Sequence, residues 1–352
     1  MSTVQREHFC ITVIIAMLLF AIIVFPLLPS LAYSQQQQEQ QQLFPFLPPA
    51  DTSGDQINKV TQNESTTSAG GNAPSCSSTN AAVILDFYDN DIGQFTYAKP
   101  ILDKYGFKGT FFIVCNWANS RNPERMTWNE ITQLYREGHD IEAHTMTHKL
   151  LDGLSARSLD YEVGQSKQCI HDHLGIYPTA FSPPHDRGWN NATVIDTIAK
   201  YYDHSIGGFV NDVMFLHCYG WKQQQQAYSN QRDCRPYSDN GSLNYASRYD
   251  IKENAGAQGH SNDTLIFNRF ANLVNREVML NSNDGAAKPI NSVLILGYHN
   301  LNNTQTTQRD AMDAALIDKE MKYLHDNGIR VITMSDIGYD ENSNYLYVRD
   351  GK

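Results

Sequence analysis

Side chains that could bind a metal ion stand in two short stretches of this 352-residue chain. EAHTMTH contains His144 and His148, whose spacing predicts that both imidazoles lie on one side of a helical turn. ILDFYDNDIG surrounds Tyr88 with three aspartates, which are Asp86, Asp89 and Asp91. Two neutral imidazoles and one carboxylate form a ligand set for a catalytic zinc-like ion and leave one coordination position open for water.

Two further stretches add groups that could move protons or bind substrate. FSPPHD contains Pro184 and His185, and LILGYHN contains His299. Each of the four stretches follows a short apolar run of the kind that forms a buried strand. The position of the histidines at strand ends, more than their spacing, favours a functional role.

The elements that must position these residues alternate between strands and helices. Strands are predicted at 82–87, 109–114, 140–143, 180–182, 204–206, 292–298 and 330–334, and helices at 96–105, 127–138, 155–174, 191–201, 264–276 and 309–327. Such alternation indicates an α/β fold with a parallel sheet and helices outside it. About seven units predict an open or irregular (β/α)7-type barrel, whose reactive groups meet at the carboxyl ends of the strands.

The same stretches resemble the polysaccharide deacetylases of the NodB-homology type, carbohydrate esterase family 4. AVILDFYDND, the helix after it and GTFFIV are similar to the first motif, Thr-Phe-Asp-Asp-Gly, and the strand that follows it. HTMTH matches the second motif, and FSPPHD and LILGYHN stand where the third motif and the late catalytic histidine are expected. The resemblance runs from Ala82 to about Tyr347 and implies the irregular barrel of that family.

The resemblance also implies roles for individual residues. Asp89, His144 and His148 match the ligands of a divalent metal, most often zinc with cobalt as an alternative. The metal polarises an acetyl carbonyl and activates water. His299 matches the general acid, and His185, beside Pro184, stands where a main-chain N–H binds the oxyanion. The expected partner is an acetylated carbohydrate polymer, with N- or O-linked acetyl groups.

Tyr88 departs from the family at the position of its general base. A phenol with an ordinary pKa near 10 is a poor base at neutral pH, and loss of a positioned base costs about 10²- to 10⁴-fold in rate. Asp86 or Asp91 could replace the base, or the metal could supply most of the activation. A register shift that makes Asp89 the base and Asn90 the ligand needs a deletion downstream. The rival hypotheses are a carbohydrate-binding relative without catalysis and a metal-free scaffold.

The N-terminal part of the chain predicts export. Residues 1–34 combine a weakly basic start, an apolar run and Ser-Leu-Ala, which is typical of a signal peptide or of a membrane anchor. Residues 35–79 form a Gln-, Ser- and Thr-rich linker predicted to be disordered. The domain therefore covers 80–352, with an irregular insert at about 211–259, and acts outside the cell or on the outer face of its membrane.

Charge and cysteine content narrow the function further. A net charge of −11 gives no basic surface for nucleic acid, which we exclude as a partner. Five cysteines follow the N-terminal segment without a Cys-x-x-Cys pair, which argues against a thiolate zinc site. Cys218 and Cys234 bracket part of the insert and are the predicted disulfide.

Overall fold

A computed structural model describes residues 81–216, 248–255, 263–282, 290, 292–302, 311–342 and 345–349, all within one compact unit, Asn72–Lys352. The predicted signal segment 1–34, the linker 35–79, and both Cys218 and Cys234 lie outside the described residues. Among the described helices, none has the length and apolar character needed to cross a membrane.

Seven parallel strands close into a barrel. They are β1 (Ala82–Tyr88), β2 (Thr110–Ile113), β3 (Asp140–Ala143), β4 (Ala180–Phe181), β5 (His204–Phe209), β7 (Ile251–Ala255) and β8 (Ser292–Tyr298). They pair in the order β1-β2-β3-β4-β5-β7-β8, and β8 pairs with β1 in register Val83↔Leu294 to Phe87↔Tyr298 to complete the ring. The predicted seven-unit barrel is confirmed, and the barrel is closed.

Two additional strands make the barrel irregular. β11 (Arg330–Ile332) pairs with the first half of β1, whereas β2 pairs with its second half. β6 (Met214–Phe215) pairs antiparallel with β8. Two small two-stranded sheets join β9 (Asn300–Asn302) to β10 (Ala311–Asp313) and β12 (Ile337–Asp340) to β13 (Tyr345–Val348). The long predicted insert is therefore partly regular, because β6 and β7 lie inside residues 211–259.

Helices connect the strands and cover the outside of the barrel. They are α1 (Lys99–Tyr105, preceded by a π-helical turn Gln94–Ala98), α2 (Cys115–Ala118), α3 (Trp128–Arg136), α4 (Ala156–Leu174), α5 (Ala192–Ile198), α6 (Asp263–Ser282) and α7 (Ala314–Asp326). Gly106 ends α1 in a left-handed conformation, and Thr127 with Glu130 forms the predicted capping box of α3. The predicted start of the last helix at about 309 was too early, because β10 comes first and Asp313 caps α7.

Side chains of β1 alternate between two apolar clusters. Ile84 and Tyr88 point into the barrel, and Leu85 and Phe87 pack between the sheet and the helices. Phe87 stacks on Phe111 of β2, with ring centroids 4.8 Å apart. This alternation places Asp86 inside the barrel, one pleat below Tyr88, and it fixes which residues of the strand end can reach the rim.

One disulfide joins Cys115 at the start of α2 to Cys169 on α4, across 54 residues of sequence. The Cys115 N–H also donates to the Thr145 carbonyl in the loop after β3. This pairing was not predicted, because each cysteine lies in a separate element with no local pattern that relates them. The disulfide ties α2 to α4, and the backbone hydrogen bond links α2 to the loop that carries His144 and His148.

Candidate metal and proton-transfer site

Three loops at the carboxyl ends of β1, β3 and β4 form most of one cavity, which residues of β7 and of the end of β8 complete. In the described part of the chain, six residues other than glycine have positive φ, and all lie in these loops: Asp89, Asn90, Thr145, His148, His185 and Asp186. Left-handed backbone is uncommon for residues with a side chain, although Asp, Asn and His adopt it more readily than most, and it concentrates at functional sites. The loops are thus held in specific conformations around the cavity.

Asp89, His144 and His148 converge at the wall of this cavity. Asp89 Oδ1 lies 3.1 Å from His148 Nε2 and 3.5 Å from His144 Nε2, and the three ligand atoms lie within 4.8 Å of one another. They are the predicted metal ligands. His144 and His148 follow β3 in an irregular loop, so the predicted helical turn is wrong although the two rings meet, with centroids 5.0 Å apart.

The protonation of these residues fits a cation. His144 Nδ1 lies 2.7 Å from the Ser182 carbonyl, which can only accept, so Nδ1 carries the proton and Nε2 presents a lone pair to Asp89. Burial lowers the pKa of His144, which keeps the ring neutral. Burial acts to raise the pKa of Asp89, but the two imidazoles outweigh it and hold that pKa well below its usual range. A lone pair and a carboxylate oxygen that face each other are arranged for a shared cation.

Hydrogen bonds from outside the ligand set fix both loops. Asn90 Oδ1 accepts from the Val114 N–H at 2.8 Å, and Asn90 Nδ2 donates to the Val114 carbonyl at 3.1 Å. The Thr145 hydroxyl oxygen accepts from the His148 N–H at 2.9 Å. Gln94 donates to the carbonyls of Tyr88 and His299, which links the ends of β1 and β8. Sequence reasoning did not single out Gln94, because no motif includes it.

Tyr88 lies on the cavity wall and donates its hydroxyl to Glu253 Oε2 at 2.6 Å. Its ring stacks on Phe112 and on His299, with centroid distances of 4.9 and 5.2 Å. Burial and the neighbouring Glu253 raise the pKa of Tyr88 well above its ordinary value. The phenol is therefore a fixed donor to Glu253 and cannot act as a base at neutral pH.

The two aspartates expected to replace the base are not on the cavity wall. Asp86 is fully buried in the barrel, where burial and then Asp140 raise its pKa well above the ordinary value. Asp91 Oδ1 accepts from the N–H groups of Gly93 and Leu301, both at 3.0 Å. Asp86 lies one pleat below the cavity wall, and the Asp91 carboxylate is bonded to the backbone of the neighbouring loops.

Of the three remaining predicted site residues, two line the cavity and one does not. His299 and His185 both line the cavity, and the His185 ring lies 4.8 Å from that of His148. Burial and then His148 lower the pKa of His185. Pro184 begins a short 3₁₀ turn and is buried, whereas its neighbour Pro183 contributes to the cavity wall.

Two carboxyl groups in the cavity were missed as site residues. Asp186 follows His185 in the 3₁₀ turn, and Glu253 projects from β7. Burial raises the pKa of Asp186 to about 7 against the opposing effect of Lys252. Burial, then Asp186 and Asp86, raise the pKa of Glu253 well above its ordinary value. Glu253 was not predicted as a site residue, because its strand lies in the segment predicted to be an irregular insert.

Comparison with known proteins supports the resemblance. Residues 77–203 match the family model described as polysaccharide deacetylase. A chitin deacetylase of Pestalotiopsis sp. is 28% identical over 131 residues, which are 36% of this chain and 42% of that protein. Chitin deacetylase 1 of Cryptococcus neoformans is 34% identical over 102 residues, or 28% of this chain and 20% of that protein. The chain thus spans less than half the length of these relatives.

Solved structures similar to this chain include peptidoglycan deacetylase PdaC of Bacillus subtilis, at 16% identity and a TM-score of 0.41, with 72% of this chain and 88% of that chain covered. A carbohydrate esterase family 4 pseudoenzyme from Bacillus anthracis has 13% identity and a TM-score of 0.43, and 73% of this chain and 64% of that chain are covered. The barrel described above is assigned from its own strand pairings.

Proposed function

We propose that this relative of the polysaccharide deacetylases is a metal-dependent hydrolase that removes acetyl groups, N- or O-linked, from a polysaccharide outside the cell. The match of residues 77–203 supports the deacetylase family. The metal dependence, the location and the activity of this particular chain are the proposed part, and each has its own supporting observation.

The convergence of Asp89, His144 and His148 carries the proposal. Two imidazole nitrogens face one carboxylate oxygen at 3.1 and 3.5 Å, and the Ser182 carbonyl fixes the tautomer of His144. Three such ligands with a cavity beside them suit a catalytic zinc ion better than a closed structural site. When bound, the ion would polarise the acyl carbonyl and lower the pKa of water.

The other cavity residues suit the acyl-transfer chemistry of such a site. The cavity holds about 210 Å³, below the roughly 300 to 1,000 Å³ of typical ligand pockets. An acetyl group fits there while its sugar ring stays at the mouth. In this role, the main-chain N–H of His185 would stabilise the oxyanion, and His299 would protonate the departing amine or hydroxyl.

Export is proposed from two independent features. The N-terminal 34 residues have the composition of a signal peptide or anchor. A disulfide between Cys115 and Cys169 is typical of an oxidising compartment. Release of the folded domain into the medium, or its retention at the outer membrane face, can be followed by protease treatment of intact cells.

Acetate release tests the proposed reaction. The full-length protein, loaded with zinc or cobalt, is incubated with acetylated chitin and xylan oligomers, and the acetate is measured enzymatically. Activity should require metal, disappear in His144→Ala and persist in His325→Ala, which changes an exposed histidine on α7. Equal activity in His144→Ala and wild type would contradict a metal-dependent reaction at this site.

A second candidate, a carbohydrate-binding relative without catalysis, is favoured by one observation. Tyr88 stands at the position of the family's base, and its hydroxyl is bonded to Glu253. Such a protein would bind acetylated oligomers in a metal-dependent way without releasing acetate. Isothermal titration with the same oligomers distinguishes this function from catalysis, because it detects binding whether or not turnover occurs.

A further inference from the structure

We propose that Asp186 replaces the missing aspartate as general base and that Glu253 is its positioning partner, held in place by Tyr88. This inference rests on the proposed deacetylase function. It identifies the residue of this chain that accepts the proton of the attacking water. Such a residue is needed because Tyr88 stands at the position of the family's base.

Asp186 lies at the cavity in which the proposed reaction would take place. It is half-buried and lines the same cavity as Asp89, His144, His148 and His299. It follows directly on His185, in a turn whose two positive φ angles, 58° and 50°, are imposed by the surrounding structure. The carboxylate thus belongs to a constrained loop at the end of β4, beside the proposed ligands.

Glu253, which lines the same cavity as Asp186, is held in place by contacts on two sides. Its Oε2 accepts the Tyr88 hydroxyl at 2.6 Å, and it is 1% exposed. Gly297 on β8 leaves the space that Glu253 occupies, because a Cβ there would lie 2.9 Å from Oε2. The tyrosine that stands in place of the family's aspartate therefore has a definite contact. It donates to the carboxyl group of Glu253, and Gly297 leaves room for that group.

The two carboxyl groups act as a pair that holds one proton near neutral pH. Burial brings the pKa of Asp186 to about 7, and proximity to Asp186 adds to the effect of burial on the pKa of Glu253. Glu253 keeps the proton and Asp186 is the group that ionises. A carboxylate with a pKa near the working pH is a more effective base than an ordinary aspartate.

Charged and titratable groups from the neighbouring elements surround this pair. They are His185 on the same turn, Lys252 on β7 with Asp250 just before that strand, Tyr88 and Asp86 on β1, His148 after β3 and His299 after β8. Lys252 opposes the rise of the Asp186 pKa and is itself bound to Asp250, with its ammonium 4.0 Å from the Trp189 ring. The cation offsets the charge of Asp186 without occupying the cavity.

The proton steps balance as an ordinary hydrolysis. As the water oxygen bonds to the acyl carbon, the carbonyl π pair moves to the acyl oxygen, one water O–H bond breaks and its proton passes to the Asp186 carboxylate. The carbonyl then re-forms as the bond from the acyl carbon to nitrogen or oxygen of the sugar breaks, and protonated His299 gives its proton to the leaving group. The products are acetic acid, which ionises to acetate, and the free amine or hydroxyl; Asp186 loses its proton to solvent and His299 regains one from solvent.

The test compares Asp186→Asn, Asp186→Glu, Glu253→Gln and the control Asp196→Asn, an exposed aspartate on α5, in the full-length zinc-loaded protein. Acetate release from acetylated chitin and xylan oligomers is measured from pH 5 to 9. Asp186→Asn should lower kcat about 10²- to 10⁴-fold with zinc affinity unchanged, and Asp186→Glu should restore part of it. Glu253→Gln keeps a neutral group beside Asp186, so it should lower kcat while KM and the pH at which activity rises stay near the wild-type values.

A readout without turnover accompanies the kinetics. Carbon-13 NMR of labelled Asp and Glu carboxyls in metal-free protein should show one carboxyl with a transition near pH 7 that is missing in Asp186→Asn. Wild-type activity in Asp186→Asn, or a wild-type protein that is silent while Tyr88→Asp is active, would overturn the assignment of the base. Silence of both wild type and Tyr88→Asp with zinc bound would instead overturn the proposed deacetylase function.

Discussion

The metal half of the cavity (Asp89, His144 and His148) and its proton-transfer half (Tyr88, Asp186, Glu253 and His299) are built in different ways. The metal half comes from two chain segments, each directly after a barrel strand. Asn90 ties the first to Val114 at the end of β2, and Thr145 bonds to His148 within the second. The proton-transfer half comes from four different strands or the loops that follow them. Its central contact joins Tyr88 to Glu253 across 165 residues of sequence.

The difference shows which part of such a site can change. Metal ligands must meet at one point with the right lone pairs, so a substitution at any of the three removes the site. A proton acceptor needs only reach and a suitable pKa, so another strand can supply it. A tyrosine at the position that the resemblance assigns to the base is therefore compatible, under the proposed function, with an intact metal half.

The largest expected effect concerns the disulfide between Cys115 and Cys169, which lies next to the metal half. The double variant Cys115→Ala/Cys169→Ala opens a loop of 54 residues, which should lower the free energy of unfolding by about 4 kcal/mol. Urea unfolding measures the change. Dithiothreitol should destabilise the wild type and leave the double variant unaffected. Equal stability of the two proteins without reductant would show that the disulfide does not stabilise the fold.

Removal of a ligand should separate the two halves most clearly. His144→Ala should lower zinc affinity by more than about 100-fold, because loss of a direct ligand exceeds the effect of losing a partner that only orients it. Competition with a chromophoric chelator measures the affinity, with His325→Ala as control. Zinc affinity within threefold of wild type would show that the three residues do not bind the metal together.

Removal of the Tyr88 hydroxyl should affect only the proton-transfer half. Tyr88→Phe leaves Glu253 without its phenol donor, which should cost about 1–3 kcal/mol of stability and leave zinc affinity unchanged. Thermal unfolding and zinc competition give the two values. The matched control is Tyr177→Phe, whose ring is 58% exposed and should be neutral. A large change in zinc affinity in Tyr88→Phe would mean that the halves are not independent.

The smallest effect is a pH dependence of stability. The pKa of Asp186 is about 7 in the folded protein and near 4 in the unfolded chain, so the folded state binds more protons between these values and loses stability as pH rises through them. Asp186→Asn should therefore gain stability relative to wild type from pH 4 to 7, on the order of 1 kcal/mol after allowance for solvent. Urea unfolding of metal-free protein at several pH values measures it, and a constant difference would contradict the raised pKa.

The two halves also differ in how far sequence could predict them. Asp89, His144 and His148 could be found because ligand types, motif order and strand ends all agree in short stretches. Glu253 could not, because its strand lies next to 217–247 in a polar region without clear alternation. The Cys115–Cys169 pair likewise depends on the packing of α2 near α4, which no spacing in the chain encodes.

The same contrast explains the errors in the predicted elements. Strong apolar runs and caps located β1, β8, α3 and α4 within a few residues. The helical turn assigned to His144 and His148 was wrong because Thr145 and His148 adopt positive φ, which tertiary contacts impose and local preferences do not reveal. Sequence therefore indicated which candidate ligands converge more accurately than it described the backbone that positions them.

Acetate release by zinc-loaded wild type and Tyr88→Asp, measured side by side on acetylated chitin and xylan oligomers, tests the central claim most directly. We expect zinc-dependent release by the wild type, because its metal half is intact and Asp186 supplies the base. A silent wild type with an active Tyr88→Asp variant would contradict the claim, since the metal half would then be competent and the proton-transfer half would have lost its function.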